Sequence, residues 1–233
     1  MSECIERFIE SGFVVIPSAL STAEVEAMNE SVDRDRAAQP HLRPDRGSGR
    51  HQPVTILLDE QSFDLSILHP KILPIVRALL GDDACFEEHS VMLREPVAEN
   101  PPDPGWHRDI AHGPDHPYCL RNLSLVYYLT DVDETTHCFS IVPESLEEKS
   151  ALPNHRDGST AIDIHGPAGT AILFNAANVH DARRRVTTRE RRTIHIYYGH
   201  RAEPSLSEYT IFPPRLMDHE DPEVRALFSR PNG

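Results

Sequence analysis

The chain has 233 residues, 39% hydrophobic and 26% charged, which suits one folded domain with a real core and excludes a disordered polymer. Its 37 acidic and 23 basic residues give a net charge of −14, so its surface repels phosphate backbones and anionic membranes, and neither nucleic acid nor membrane is expected as a partner. Twenty prolines and eleven glycines favour a strand-rich fold with many turns over a helix bundle.

Residues 2–11 predict a short helix ended by Gly12, and FVVI at 13–16 predicts a strand stopped by Pro17. No basic region followed by a long apolar run opens the chain, so no secretory signal is expected. Ser21 and Glu24 form a capping box, and Val25, Met28 and Val32 recur at helical spacing, which predicts a helix over 21–36. The polar, proline- and glycine-containing stretch 37–53 reads as a mobile loop and a candidate lid. Ile72, Ile75, Val76, Leu79 and Leu80 mark another helix, closed by Gly81. Beyond it lie short β-like runs at 85–94, 105–110, 121–129, 137–142, 160–164, 170–175 and 192–199, a spacing typical of sandwiches and barrels. Asp221 and Pro222 are a good N-cap and first residue for a closing helix. Cys4, Cys85, Cys119 and Cys138 are scattered and read as free thiols of a reducing, cytoplasmic compartment.

On an extended segment, His107 and Asp109 project to one face while Arg108 points away. An imidazole and a carboxylate at that spacing can share a metal, with the third ligand coming from elsewhere. His180, after the strand and turn of GTAILFNAANVH (169–180), is the best candidate. Two imidazoles and one carboxylate suit iron(II) and leave three coordination positions open. Fourteen histidines make an H-x-D pattern easy to meet by chance. Weight comes from Arg191, eleven residues after His180, on a strand where Thr193, His195 and Tyr197 share its face. A guanidinium grips a carboxylate with two bonds and stays charged at any working pH.

Together, GWHRD (105–109), the segment ending at His180 and the arginine at +11 resemble the phytanoyl-CoA dioxygenase (PhyH-like) family. So do the opening FIESGFVVIP (8–17) and YLTDVD (128–133) followed by IVPES (141–145). The resemblance covers roughly residues 5–200. It implies a mainly β fold with flanking helices, a double-stranded β-helix (jelly roll, cupin-like). The domain would comprise N-terminal helices over 1–81, a jelly-roll core over about 82–200 and a C-terminal extension over 201–233. It implies an iron(II)- and 2-oxoglutarate-dependent dioxygenase that uses O2, oxidises a C–H bond, most simply by hydroxylation, and releases succinate and CO2. His107, Asp109 and His180 would be the catalytic metal ligands and Arg191 the co-substrate anchor. Met92, on the strand before the triad, would contact the co-substrate. Retention of Asp109 argues against halogenation, in which a small residue gives up this position to chloride. The chain departs from the family pattern at Gly169-Thr170, at Thr136-His137 and at the turn Val142-Pro-Glu-Ser-Leu146.

The substrate is read only as a small molecule. Six of the ten residues 183–192 are arginine, and part of that cluster is a candidate for binding an anionic substrate group. A solvated loop balancing an acidic surface weighs more heavily. His112, His116 and Arg108 are candidates for the entrance. Two other readings remain open: a cupin-like metal enzyme that uses no 2-oxoglutarate, and a non-catalytic binding protein on the same fold. The oligomeric state is not legible.

Overall fold

Helix α1 (Ser2–Ser11) stops at Gly12, whose φ of 76° lets the chain turn directly into strand β1 (Phe13–Ile16). The computed structural model describes residues 1–43, 45–111, 120–146, 157–201, 203–207 and 209–228. Helix α2 (Thr22–Ala38) starts at the expected capping box, with Glu24 bonded back to the Ser21 amide. Stretch 37–53 is not wholly irregular among its described residues. It holds a 3₁₀ turn (Pro40–Leu42) and a two-residue strand, β2 (Arg50–His51). Its path is fixed by Arg43, whose buried guanidinium pairs with Asp35 and bonds the Val32 carbonyl. Helices α3 (Ile56–Asp59) and α4 (Asp64–Leu68) precede α5 (Leu73–Leu80), which ends at Gly81. The first two escape a periodicity reading because neither is long enough to show two turns of pattern.

The β core comprises β3 (Ala84–Arg94), β4 (Leu123–Tyr128), β5 (Cys138–Ile141), β6 (Ile162–Ile164), β7 (Ala171–Asn175), β8 (His180–Arg183) and β9 (Arg191–His200). They form two antiparallel sheets, one ordered β1-β7-β4-β9-β3-β2 and one ordered β6-β5-β8. This is the expected double-sheet β core with flanking helices. Two short helices, α6 (Pro214–Met217) and α7 (Pro222–Leu227), follow, the second capped by Asp221 as expected.

Alternation divides the large sheet cleanly between its two faces. Leu123, Leu125, Tyr127, Leu173, Ile194 and Ile196 meet the helices in one apolar cluster. Val126, Tyr128, Ile172 and Phe174 meet Phe139, Ile141 and Ile164 of the small sheet in another. One irregularity matters for the site. A bulge between Phe86 and Glu88 places Phe86 opposite Tyr198 on the helix face, but Glu88 opposite Tyr197 on the inner face. From there Glu88, Met92 and Arg94 all line the cavity between the sheets.

Candidate metal centre

The expected strand at 105–110 does not form. Residues 105–109 have no ladder of their own; His107 pairs with His180 through one isolated bridge. The His107 amide donates to the His180 carbonyl at 3.2 Å, and the His180 amide donates back at 3.0 Å. The Asp109 amide donates to the Ala176 carbonyl at 3.0 Å. The two segments that carry the triad are thus bonded backbone to backbone.

Their side chains converge. One nitrogen or oxygen from each of His107, Asp109 and His180 lies within 4.8 Å of the others. The Asp109 carboxylate has Oδ1 3.5 Å from His107 Nε2 and Oδ2 3.6 Å from His180 Nε2. Each imidazole has Nδ1 2.9 Å from a carbonyl, of Gly105 for His107 and of Asn178 for His180. A carbonyl only accepts, so each Nδ1 carries a proton, and in the neutral ring Nε2 presents a lone pair to the shared point; the adjacent Asp109 carboxylate pushes the His107 pKa up. Burial pushes the Asp109 carboxyl up, but His180, His107 and the Tyr197 hydroxyl outweigh it and hold it below the ordinary range. Burial also keeps His180 neutral. Asp109 Oδ2 is buried without a hydrogen-bond partner.

The turn that delivers His180 is built from asparagines. The Asn178 amide donates to the Asn175 carbonyl, and Asn175 Oδ1 accepts from the Ala177 amide. Asn178 Nδ2 donates to the carbonyls of Ser11 and Val142, tying the turn to both flanking elements. A side chain at Gly12 would collide with Asn178, so glycine is required there for close approach as well as for φ. At the departure Val142–Leu146, Leu146 is buried in the helix-face cluster, and Glu144 accepts two bonds from Arg108. Arg108 is therefore a fastening residue rather than a lining one; His112 and His116 lie outside the described residues.

The triad opens on a cavity of about 230 Å³. Arg191 lies in its wall with 5% of its surface exposed, and its Nε and Nη1 have no hydrogen-bond partner among the described residues. Met92 lines the same cavity, opposite Thr193 in the β3–β9 ladder. His195 and Tyr197 share the face as expected, with His195 pushed down to about 3 by burial and by Arg191. Arg94, Arg50, Phe139 and Phe174 also line it and were not singled out from sequence. Arg94 was within reach of the same logic, because it follows Met92 at an interval of two on one strand.

Apart from Arg191, the arginines of 183–192 lie elsewhere. Arg183 and Arg185 share Asp163, Arg189 pairs with Asp133, and Arg192 with Asp33 and Glu190. Arg184 bonds the carbonyls of Pro102 and Asp103 and lies 3.7 Å from Asp181. These guanidiniums are committed to the protein's own acceptors.

The family model for phytanoyl-CoA dioxygenase (PhyH) matches residues 8–193. The ectoine dioxygenase of Stutzerimonas stutzeri (strain A1501) is 24% identical over 234 residues, covering 85% of this chain and 76% of that protein. Among solved structures, the non-heme alpha ketoglutarate dependent epimerase SnoN from nogalamycin biosynthesis is similar, with TM-score 0.71 and 21% identity. That match covers 91% of this chain and 89% of the other. HygX from Streptomyces hygroscopicus, solved with nickel, 2-oxoglutarate and hygromycin B bound, gives TM-score 0.70 at 20% identity over 85% and 87% of the two chains. These structural likenesses extend over most of the chain and show a jelly-roll fold.

Proposed function

Because the chain belongs to the phytanoyl-CoA dioxygenase family, whose members are iron(II)- and 2-oxoglutarate-dependent dioxygenases, we propose that His107, Asp109 and His180 hold its iron(II) and that Arg191 anchors the co-substrate. The overall reaction oxidises a C–H bond of a small molecule, most simply to an alcohol, and releases succinate and CO2. The observation that carries the site assignment is the pairing of two orphans. Among the described residues, a triad with a buried carboxylate oxygen unclaimed shares a cavity with a buried arginine that has no anion. The donor set suits a divalent cation with open positions, and the arginine suits a dicarboxylate.

When bound, iron and 2-oxoglutarate supply the activation of dioxygen that the protein's own groups cannot perform. The chain contributes placement. The Gly105 and Asn178 carbonyls hold both imidazoles in the tautomer that ligates, and Tyr197 steadies the Asp109 carboxylate. Phe139 and Phe174 each pack against the His180 ring, at centroid distances of 5.6 and 4.8 Å, and keep water from that side. His195, neutral because it is buried, offers polar contact without adding a charge beside Arg191. Met92 contacts the co-substrate from the opposite strand. A single domain and a cytoplasmic site of action complete the reading. Cys4, Cys85 and Cys138 are free thiols, and among the described residues no helix is long and apolar enough to cross a membrane.

The test is an anaerobic titration with iron(II) and then 2-oxoglutarate. A metal-to-ligand charge-transfer band is expected in the parent protein and absent in Asp109→Ala. Succinate release without a band, or a band that survives Asp109→Ala, would remove the assignment.

A further inference from the structure

The β-ladder places three arginines side by side. Arg50 of β2 pairs with Arg94 of β3, and Arg94 pairs in turn with Arg191 of β9. All three line the cavity. Like charges directly opposite one another destabilise a sheet, so such a row needs anions to hold it. Among the described residues, none of the three has a carboxylate within ion-pair distance. Arg94 is 6% exposed; its Nη1 reaches only the Ser48 carbonyl, and its Nε is buried with no partner. Burial and then Arg191 push its pKa down to about 10. The carboxylate that bears on both Arg94 and Arg191, Asp181, is bonded to the Gly105 amide and stands beside Arg184. Of the other two cavity carboxylates, Asp109 belongs to the triad, and Glu88 sits six residues along β3, roughly 20 Å away along the strand, and receives the Ser207 hydroxyl.

One carboxylate cannot satisfy this row. Neighbouring strands stand about 4.8 Å apart, so three positions in register span about 10 Å, while the two oxygens of a carboxylate bridge at most two neighbours. In the site reading above, iron(II), Asp109, 2-oxoglutarate and Arg191 together are already electrically neutral. Arg94 and Arg50 are left over. We propose that the substrate carries an oxyanion, received by Arg50 with Arg94 at the outer end of this row. This inference rests on the co-substrate occupying the Arg191 end. A protein of net charge −14 thereby presents positive charge where its substrate enters. The cavity's 230 Å³ is smaller than the roughly 300–1,000 Å³ of drug-sized sites, so the part of the substrate held with the co-substrate is small.

The test uses protein loaded anaerobically with iron(II) and 2-oxoglutarate, with the charge-transfer band recorded first. Propionate, methyl phosphate and neutral propionamide are then titrated at matched ionic strength while the thermal midpoint is followed. The expected result is a rise with one or both anions and none with propionamide; which anion is favoured separates a carboxylate substrate from a phosphate ester. In Arg50→Gln the apparent affinity for the anion falls about tenfold, or 1.4 kcal/mol, and Arg50→Lys restores part of it. Equal responses to anions and amide would overturn the inference, as would an anion response in Arg50→Gln equal to that of the parent. So would loss of the charge-transfer band in Arg50→Gln, which would assign Arg50 to the co-substrate. Absence of the band in the parent protein would remove the site reading itself, and this inference with it.

Discussion

Arg108 and Glu144 face each other fork to fork, with bonds of 2.7 and 2.6 Å, and both side chains are largely buried. The pair fastens the two halves of the candidate metal centre. Arg108 stands between His107 and Asp109 and also donates to the Ala177 carbonyl, while Glu144 accepts from the Val179 amide at 3.2 Å. Arg108→Ala is expected to weaken iron(II) binding about 10- to 100-fold, the usual effect of losing a group that orients ligands. Glu144→Ala should act alike, and the double variant should cost little more than either alone. Metal titration of the four proteins checks this; additive losses would show that the pair does not act as a unit.

Arg191→Ala should weaken 2-oxoglutarate by about 2–5 kcal/mol, the usual cost of truncating one partner of a buried charge pair, and leave iron(II) affinity near that of the parent. His107→Ala should abolish turnover with the circular dichroism spectrum unchanged. Isothermal titration of the co-substrate, run on metal-loaded protein, separates the two effects.

His89 is buried beneath the helices, against Phe63, with neither ring nitrogen bonded, and burial pushes its pKa down to about 3. The unfolded chain, with a value near 6.5, takes the proton first. This contribution to stability is therefore complete above about pH 6.5 and is lost as pH falls toward 3, at up to about 1.4 kcal/mol per pH unit. His89→Leu should flatten that part of the profile and, above pH 6.5, stabilise the protein by about 1–3 kcal/mol by removing unpaired polar atoms. Urea midpoints measured between pH 4 and 8 decide it.

Gly12 (φ 76°, ψ 6°) is left-handed helical and Gly81 (φ 85°, ψ −170°) lies in a region that glycine alone occupies freely, so alanine strains the backbone at both. The strain should cost about 1–2 kcal/mol at 12 and up to about 3 kcal/mol at 81. Only at position 12 does the added carbon meet Asn178; at 81 it meets open space. Gly12→Ala should therefore lose further stability and also weaken iron(II) binding, because the Asn178 carbonyl orients His180. Gly81→Ala should leave metal affinity unchanged.

Most of the strands were legible because alternation and turn residues mark them, and α2 because its capping box is local. The clustering of His107, Asp109 and His180 was legible because His107 and Asp109 are neighbours and because His180 and Arg191 stand at a recognisable spacing. What escaped depends on contacts distant in sequence. Segment 105–110 resembles a strand, yet among the described residues its β pairing is the single bridge to His180. Stretch 37–53 is polar, yet a buried Arg43–Asp35 pair and the edge of β3 give it a path. The arginine run at 183–192 is conspicuous in sequence, yet it is largely committed to local carboxylates and carbonyls. The cavity arginines 50 and 94 are isolated in sequence and acquire meaning only through register.

The reciprocal amide bonds between His107 and His180 have a consequence for biosynthesis. A nascent chain that has not yet delivered its second imidazole from the ribosome cannot assemble the triad, however well its earlier portion has collapsed. On the proposed assignment, iron would load only after translation of this region and would act as a lock on the finished topology. At free metal one hundred times its dissociation constant, that lock should add about 2.7 kcal/mol to the unfolding free energy.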